Sequence, residues 1–294
     1  MIDSSITNTR LSSLFFSRSI MPVIRLASFD IGKINFAQYV EDFDSDEMLR
    51  LEKRYNTLPP RLKRKTRGVM NDEVWDILMD VVLSGMRVQT GVYNFTTGET
   101  DKYGERLWDN QARLNLLKHL RSYAYLWDTC DVIVIEQQYF NATAFGGKKK
   151  ARSASGANVD AIKIAEATYM WFLDKYPTKV IMYFGSQFKT QIFGAPTMDK
   201  TKRKKWSTDQ AQAFYILRED RDMINLYELS GAVKRKRITT EERVQSFKDQ
   251  YPCESDDAKA LSDKVIREKQ KLDDDSDVLV QAQAFKFKTM VACF

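Results

Sequence analysis

At 294 residues, 43% hydrophobic and 12% aromatic, the chain can bury a sizeable core in one large domain or two small ones. Its net charge of +6 despite forty acidic residues fits a nucleic-acid enzyme, with cations on phosphate and acids on metal, or simply an ordinary charged surface. One histidine, three cysteines without CxxC spacing (Cys130, Cys253, Cys293) and no apolar run near 18 residues exclude His-triad chemistry, a disulfide framework, the usual zinc sites and a membrane span.

Residues 1–20 are rich in Ser and Arg with a single acid, which reads as a disordered extension or a targeting segment; as a transit peptide it would imply the mitochondrion. Met21 opens a clean strand pattern. VIRLASFDIG and INFAQYVEDF, joined by a glycine turn, predict a β-hairpin. Residues 44–85 have helical spacing broken at Pro59–Pro60, with RLKRKTR just after the break. Strand alternation follows over 88–99 and helical spacing over 105–128. The latter run contains His119, expected on a helix surface or satisfied by a neighbour. DVIVIEQQ reads as a fully buried strand, followed by a polar loop, FNATAFGGKKKARSASGA, and a helix at about 158–174.

KVIMYFG is a further buried strand, and KTKRKKWSTDQAQAFYIL begins basic and continues as a helix. The segment 219–270 is charged and mostly helical. DDDSDVLVQAQAFKFKTMV predicts an amphipathic helix with acids in its first turn, where the helix dipole favours them. The order of elements predicts an α/β fold with a mixed sheet flanked by helices. With only three cysteines and no CxxC, an intracellular, reducing compartment is expected.

Asp30 and Glu136 each end a hydrophobic strand, and side by side they would form the start of a metal site. Asp274 and Asp277, spaced i, i+3, share one helix face, a repulsive arrangement unless a cation lies between them. Asp273 and Asp275 read as ordinary N-terminal helix acids. Phosphodiester hydrolysis with two ions about 3.5–4 Å apart needs several such oxygen ligands.

At these residues the chain resembles the poxvirus-type Holliday junction resolvases of large DNA viruses, relatives of bacterial RuvC. SFDIGKINFA is similar to the family's first strand and turn, VIVIEQQ to the strand bearing its glutamate, and KRKKWSTDQAQAF to the basic helix start supplying a lysine. KLDDDSDVLVQAQAF is similar to the final helix with its aspartate pair. The resemblance implies an RNase H-like nuclease domain over 21–294, with insertions at about 44–104 and 219–268. It implies metal ligands Asp30, Glu136, Asp274 and Asp277, with Lys205, or Lys204 in the other register, helping at the scissile phosphate. Two Mg2+ ions per site are implied, with Mn2+ as a substitute. So are a homodimer, branched DNA as substrate, and a viral replication site or the nucleus as location. Ile34 departs from the basic residue expected in the first turn.

Basic clusters stand at 61–67, 148–152, 200–205 and 234–237. Lys148, Lys149, Lys150, Arg152, Lys202, Arg203 and Lys204 are candidate phosphate contacts, which would make binding salt-dependent. Tyr139, Phe140 and Phe145 could stack on unpaired bases or belong to the core. KRKR at 234–237 could instead be a nuclear address. Rival readings are a nuclease of the same fold acting on linear duplex or RNA–DNA hybrid, and a non-catalytic DNA-binding protein on that scaffold. The DIG turn also occurs in actin-like ATPases, but the Gly-rich phosphate loops those need are missing from the sequence.

Overall fold

A computed structural model describes residues 23–65, 70–138, 159–195, 199–235, 241–268 and 272–292. The segment 1–20, the loop carrying Tyr139, Phe140, Phe145, Lys148, Lys149, Lys150 and Arg152, and Cys293 lie outside the described residues. So do Arg67 of the first basic cluster and residues 236–237 of the last.

The hairpin forms as expected. β1 (Val23–Asp30) and β2 (Phe36–Asp44) pair antiparallel from Val23↔Asp44 to Asp30↔Ala37. Arg25 locks the two strands with a bidentate contact to Asp42, Nε to Oδ1 at 2.6 Å. Helices α1 (Ser45–Thr57), α2 (Pro60–Lys63) and α3 (Asp72–Leu83) follow, with the break at the prolines. Asp44 caps α1 by accepting from the amides of Asp46 and Glu47, and Asn71 caps α3 through the Glu73 amide.

β3 (Gly85–Tyr93) starts a few residues before the expected strand and pairs antiparallel with β2. A Cβ at its first residue, Gly85, would crowd the buried ends of the Glu41 and Arg218 side chains. The run 105–128 divides into α4 (Asn110–Ser122) and α5 (Ala124–Trp127); Asp109 caps α4 through the Ala112 amide, so the helix starts later than the spacing suggests. β4 (Val132–Gln137), α6 (Val159–Lys175) and β5 (Val180–Gly185) complete a mixed sheet of order β3-β2-β1-β4-β5, in which β1, β4 and β5 are parallel.

Alternation along the strands sorts the core into two layers. Ala27, Phe29, Ile133 and Ile135 face α4, α5 and α6 in an aromatic-rich layer with Phe36, Trp127 and Phe172. Leu26, Val132 and Val134 face the other way, toward α7 (Ser186–Ile192), α8 (Lys200–Leu217), α9 (Arg221–Arg235), α10 (Glu241–Gln250), α11 (Asp256–Arg267) and α12 (Asp273–Lys286). α12 corrects one expectation: it is not amphipathic but buried almost all round. It lies on β1 and β2 and is covered from outside by α7 and α8, so no side is left for water. The polar residues in it are spent internally, Gln281 donating to Ser28 Oγ (3.0 Å) and Gln283 to Glu41 (3.0 Å). Among the described residues, no helix is long and apolar enough to cross a membrane.

The segment read as a first insertion thus contains an edge strand of the sheet, β3. The second, 219–268, is helical and fastened to β3 by Arg87, whose guanidinium reaches Asp220 and Asp257, each at 2.6 Å.

Candidate active site

In an open sheet, the loops beyond the carboxyl ends of parallel strands are where ligands bind. Here three parallel strands end at one edge, each delivering an ionisable side chain. Asp30 closes β1, Glu136 stands near the end of β4, and Lys189 lies one helical turn beyond β5 on α7. The last paired residues of β1 and β4 are Phe29 and Ile135, so Asp30 and Glu136 come next and side by side. Both alternate onto the face covered by α12, and α12 brings Asp277 to the same cleft. The turn after Asp30 is tight: a Cβ on Gly32 would stand 2.9 Å from the carbonyl oxygen of Asn35. Lys33, in that turn, ties it to the start of α6 through Asp160 at 2.8 Å.

The cleft encloses about 230 Å3 and is lined by these four residues together with Arg203, Lys204, Trp206 and Ser207. That is below the roughly 300–1,000 Å3 of small-molecule sites, and its lining is dominated by charge. Lys189 Nζ stands 3.1 Å from Glu136 Oε1 and 3.5 Å from Asp277 Oδ1. Gln138 donates to Glu136 Oε2 at 2.8 Å, and Ser207 donates to Asp277 Oδ1 at 2.5 Å.

Burial pushes the Asp30 carboxyl well above the usual carboxylate range, and the neighbouring charge of Glu136 adds to that. Burial would raise Glu136 too. Lys189, with hydrogen bonds from Asp30, Lys189 and Gln138, outweighs it and holds Glu136 low. Burial works to lower Lys189, but Asp277, Glu136 and Asp30 together keep its ammonium charged far above neutral pH.

The structure brings Asp30, Glu136 and Asp277 together and leaves the other candidates around them. Asp274 sits one turn before Asp277 and faces Lys204, 3.6 Å from its Oδ1; Lys204 also bonds Asp273. Burial first, then the charge of Asp273, raises Asp274 to about 6. Lys205 is not brought to the carboxylates: its side chain is 76% exposed and pairs with Asp209 on its own helix at 2.6 Å. Lys202 is exposed beside Asp199 (3.7 Å), while Arg203 lines the cleft. Asp275 is structural, buried and accepting from Thr90 and Tyr227.

Lys189 is the site residue that sequence reasoning missed. Its signal was available in GSQFK, a lysine within one turn of the end of a buried strand. The basic run at 200–205 drew attention away from it because that run is longer, although most of it faces solvent. Among the described residues no three His, Cys, Asp or Glu side chains form a ready-made metal cage. The carboxylates instead surround an ammonium. Three hard oxygen donors beside that ammonium form a set that suits magnesium or manganese rather than a softer ion.

Comparison of the chain with protein-family models, with curated proteins and with solved structures gave no match.

Proposed function

We propose that the chain is a Mg2+-dependent endodeoxyribonuclease with an RNase H-like core, acting on four-way DNA junctions. The supporting observation is the convergence of Asp30, Glu136 and Asp277 on one cleft at the carboxyl ends of parallel strands, with Arg203 and Lys204 at its rim. Asp30, Glu136 and Asp277 would hold the metal, with Asp274 as the fourth ligand that the family resemblance implies. When bound, magnesium would supply an activated water and neutralise the leaving oxygen.

The chain's own residues do the rest. Ser207 and Gln138 fix the carboxylates of Asp277 and Glu136, and Lys189 balances charge beside the scissile phosphate. Arg203 and Lys204 grip the phosphodiester without reading sequence. Hydrolysis places the water oxygen on phosphorus and breaks the P–O3′ bond. A proton passes to O3′, leaving a 3′ hydroxyl and a 5′ phosphate. Junction selectivity and a C2 homodimer, which symmetric resolution requires, come from the resemblance. A viral replication site or the nucleus is the corresponding location.

The test is incubation of a labelled four-way junction and its matched linear arms with Mg2+, mapping cuts on all strands. The expected result is paired, symmetric, ligatable nicks in the junction, lost in Glu136→Gln and Asp277→Asn. Comparable cutting of linear duplex or of RNA–DNA hybrid would assign a different nuclease activity to the same cleft. Binding without cutting of any substrate would leave a DNA-binding scaffold.

A further inference from the structure

Helix α7 has a second face. Gln187, Lys189 and Thr190 line the carboxylate cleft, whereas Phe188, Gln191 and Ile192 line a separate pocket of about 170 Å3 on the opposite flank. Its floor is apolar, formed by Phe188 and Ile192 with Tyr55 of α1 and Phe287, which follows α12. The rim is cationic: Lys63, Arg64 and Lys65 on one side and Lys288 on the other. Among the described residues, no acidic side chain lines it.

Aromatic rings and backbone carbonyls touch three of these cations. Lys63 Nζ sits 4.7 Å over the Tyr55 ring and Lys288 Nζ 4.2 Å over the Phe188 ring. Lys65 donates to the carbonyls of Gln191 and Ile192 at the C-terminal end of α7, where the helix dipole favours a cation. The described lining residues thus set a cationic rim around an apolar floor.

From this geometry we infer that the pocket receives one unpaired base of a bound DNA strand, with the flanking phosphates on the Lys63–Lys65 and Lys288 rim. This rests on the reading of the neighbouring cleft as a phosphodiester-cleaving site. At 170 Å3 the pocket is too small for a whole cofactor, whose sites run to about 300–1,000 Å3, and fits a single ring. Rim charge and apolar floor match the phosphate and base of one nucleotide. A helix is about 10–12 Å across with its side chains. A few nucleotides of one strand are longer than that, so one strand can reach both faces of α7. An acidic peptide bearing an aromatic residue shares the chemistry but has no reason to lie beside the cleft.

The experiment is photocrosslinking in EDTA of a single-stranded oligothymidine carrying one 4-thiothymidine, followed by peptide mapping. Crosslinks should fall on Tyr55, Met70 or Phe188. The double variant Lys65→Glu/Lys288→Glu should abolish them, weaken binding about tenfold or more, and lower the salt slope by about two. Lys288→Gln, which reverses no charge, should give a smaller loss in the same direction with an unchanged melting temperature.

Crosslinks confined to other surfaces, none at all, or crosslinks indifferent to the rim variants would overturn the assignment. So would displacement of the oligonucleotide by an acidic aromatic peptide at lower concentration than by free oligothymidine. Because no cleavage is needed, the two readings fail separately. A protein that crosslinks here but never cuts DNA keeps the pocket and loses the nuclease, and one that cuts junctions but crosslinks elsewhere loses the pocket alone.

Discussion

Lys189 Nζ lies 3.1 Å from Glu136 Oε1, and both side chains are about nine-tenths buried. The pair joins the helix after β5 to the end of β4, and the same ammonium reaches Asp277 on α12 at 3.5 Å. One cation thus holds together acids from different elements that would otherwise repel. Removing Lys189 from this buried cluster is costly, because Glu136 and Asp277 lose the ion pairs it makes with them.

Lys189→Met should therefore act twice. It should slow nicking by about a hundredfold or more, the scale of removing one preorganised electrostatic stabiliser. It should also lower the melting temperature in EDTA and regain much of that loss in Mg2+. Lys205→Ala, at an exposed helix pair, should change rate by no more than a few-fold. Lys204→Ala should fall between them, since it touches both the cleft and Asp273. Single-turnover rates and melting curves with and without Mg2+ check this; equal, slight effects from all three would remove Lys189 from the site.

A second buried network has the opposite imbalance. Glu41 receives Lys286 Nζ and Arg218, each at 2.9 Å, and all three are buried. Glu41→Gln leaves two cations without a counter-charge and should cost about 3–5 kcal/mol in urea unfolding. Lys286→Met leaves Glu41 and Arg218 as a one-to-one pair and should cost distinctly less. The reverse order would show that the network is not governed by charge balance.

The strands and the carboxylates at their ends were legible because β-branched runs ending in an acid have few other readings. SFD and VIVIE specify both the strand and the face of its acid by alternation alone. Lys189 was not legible in the same way, since its neighbours on the cleft are brought together only by the parallel register of β1, β4 and β5. The burial of α12 was hidden for a related reason. Its acids and glutamines look like a solvated face until Thr90 and Tyr227 are seen to donate to Asp275, and Ser28 and Glu41 to accept from the amides of Gln281 and Gln283. Helix ends set by caps, such as Asp109, also escape spacing rules.

His119, the one histidine, sits among Phe36, Tyr93, Phe95 and Tyr123, with Nε2 2.8 Å from Gln38 Oε1. Burial, helped by the charge of Lys264, lowers its pKa from 6.5 to about 4. Above about pH 6.5 it is neutral in both folded and unfolded chains, so its full contribution is present there. As pH falls toward 4, the unfolded chain takes up a proton that the folded one refuses, and stability drops by up to about 3 kcal/mol. Urea unfolding from pH 7 to pH 4 should show this loss, and His119→Gln should reduce it. An imidazole resonance titrating near 6.5 in the folded protein would contradict it.

Asp274 tests the opposite sign at the site itself. It lies one turn from Asp277, and burial with the nearby charge of Asp273 raises its carboxyl from 3.8 to about 6. A raised carboxyl favours the folded state while protonated. The advantage is present below about 3.8 and is lost as pH rises through 6, a swing of up to about 3 kcal/mol by pH 7. In EDTA at pH 7, Asp274→Asn should then melt higher than the unsubstituted chain and be less sensitive to pH between 4 and 6. Asp275→Asn should not share that gain, because Asp275 accepts hydrogen bonds from Thr90 and Tyr227 that an amide satisfies less well. Magnesium reverses the ranking if Asp274 is a ligand, since an ion that binds only the folded state stabilises it by RT ln(1 + [L]/Kd). The unsubstituted chain should gain more from Mg2+ than Asp274→Asn does. Equal gains in both would confine the metal to Asp30, Glu136 and Asp277, and a lower melting temperature for Asp274→Asn in EDTA would show that its carboxylate is held as a structural partner of Lys204.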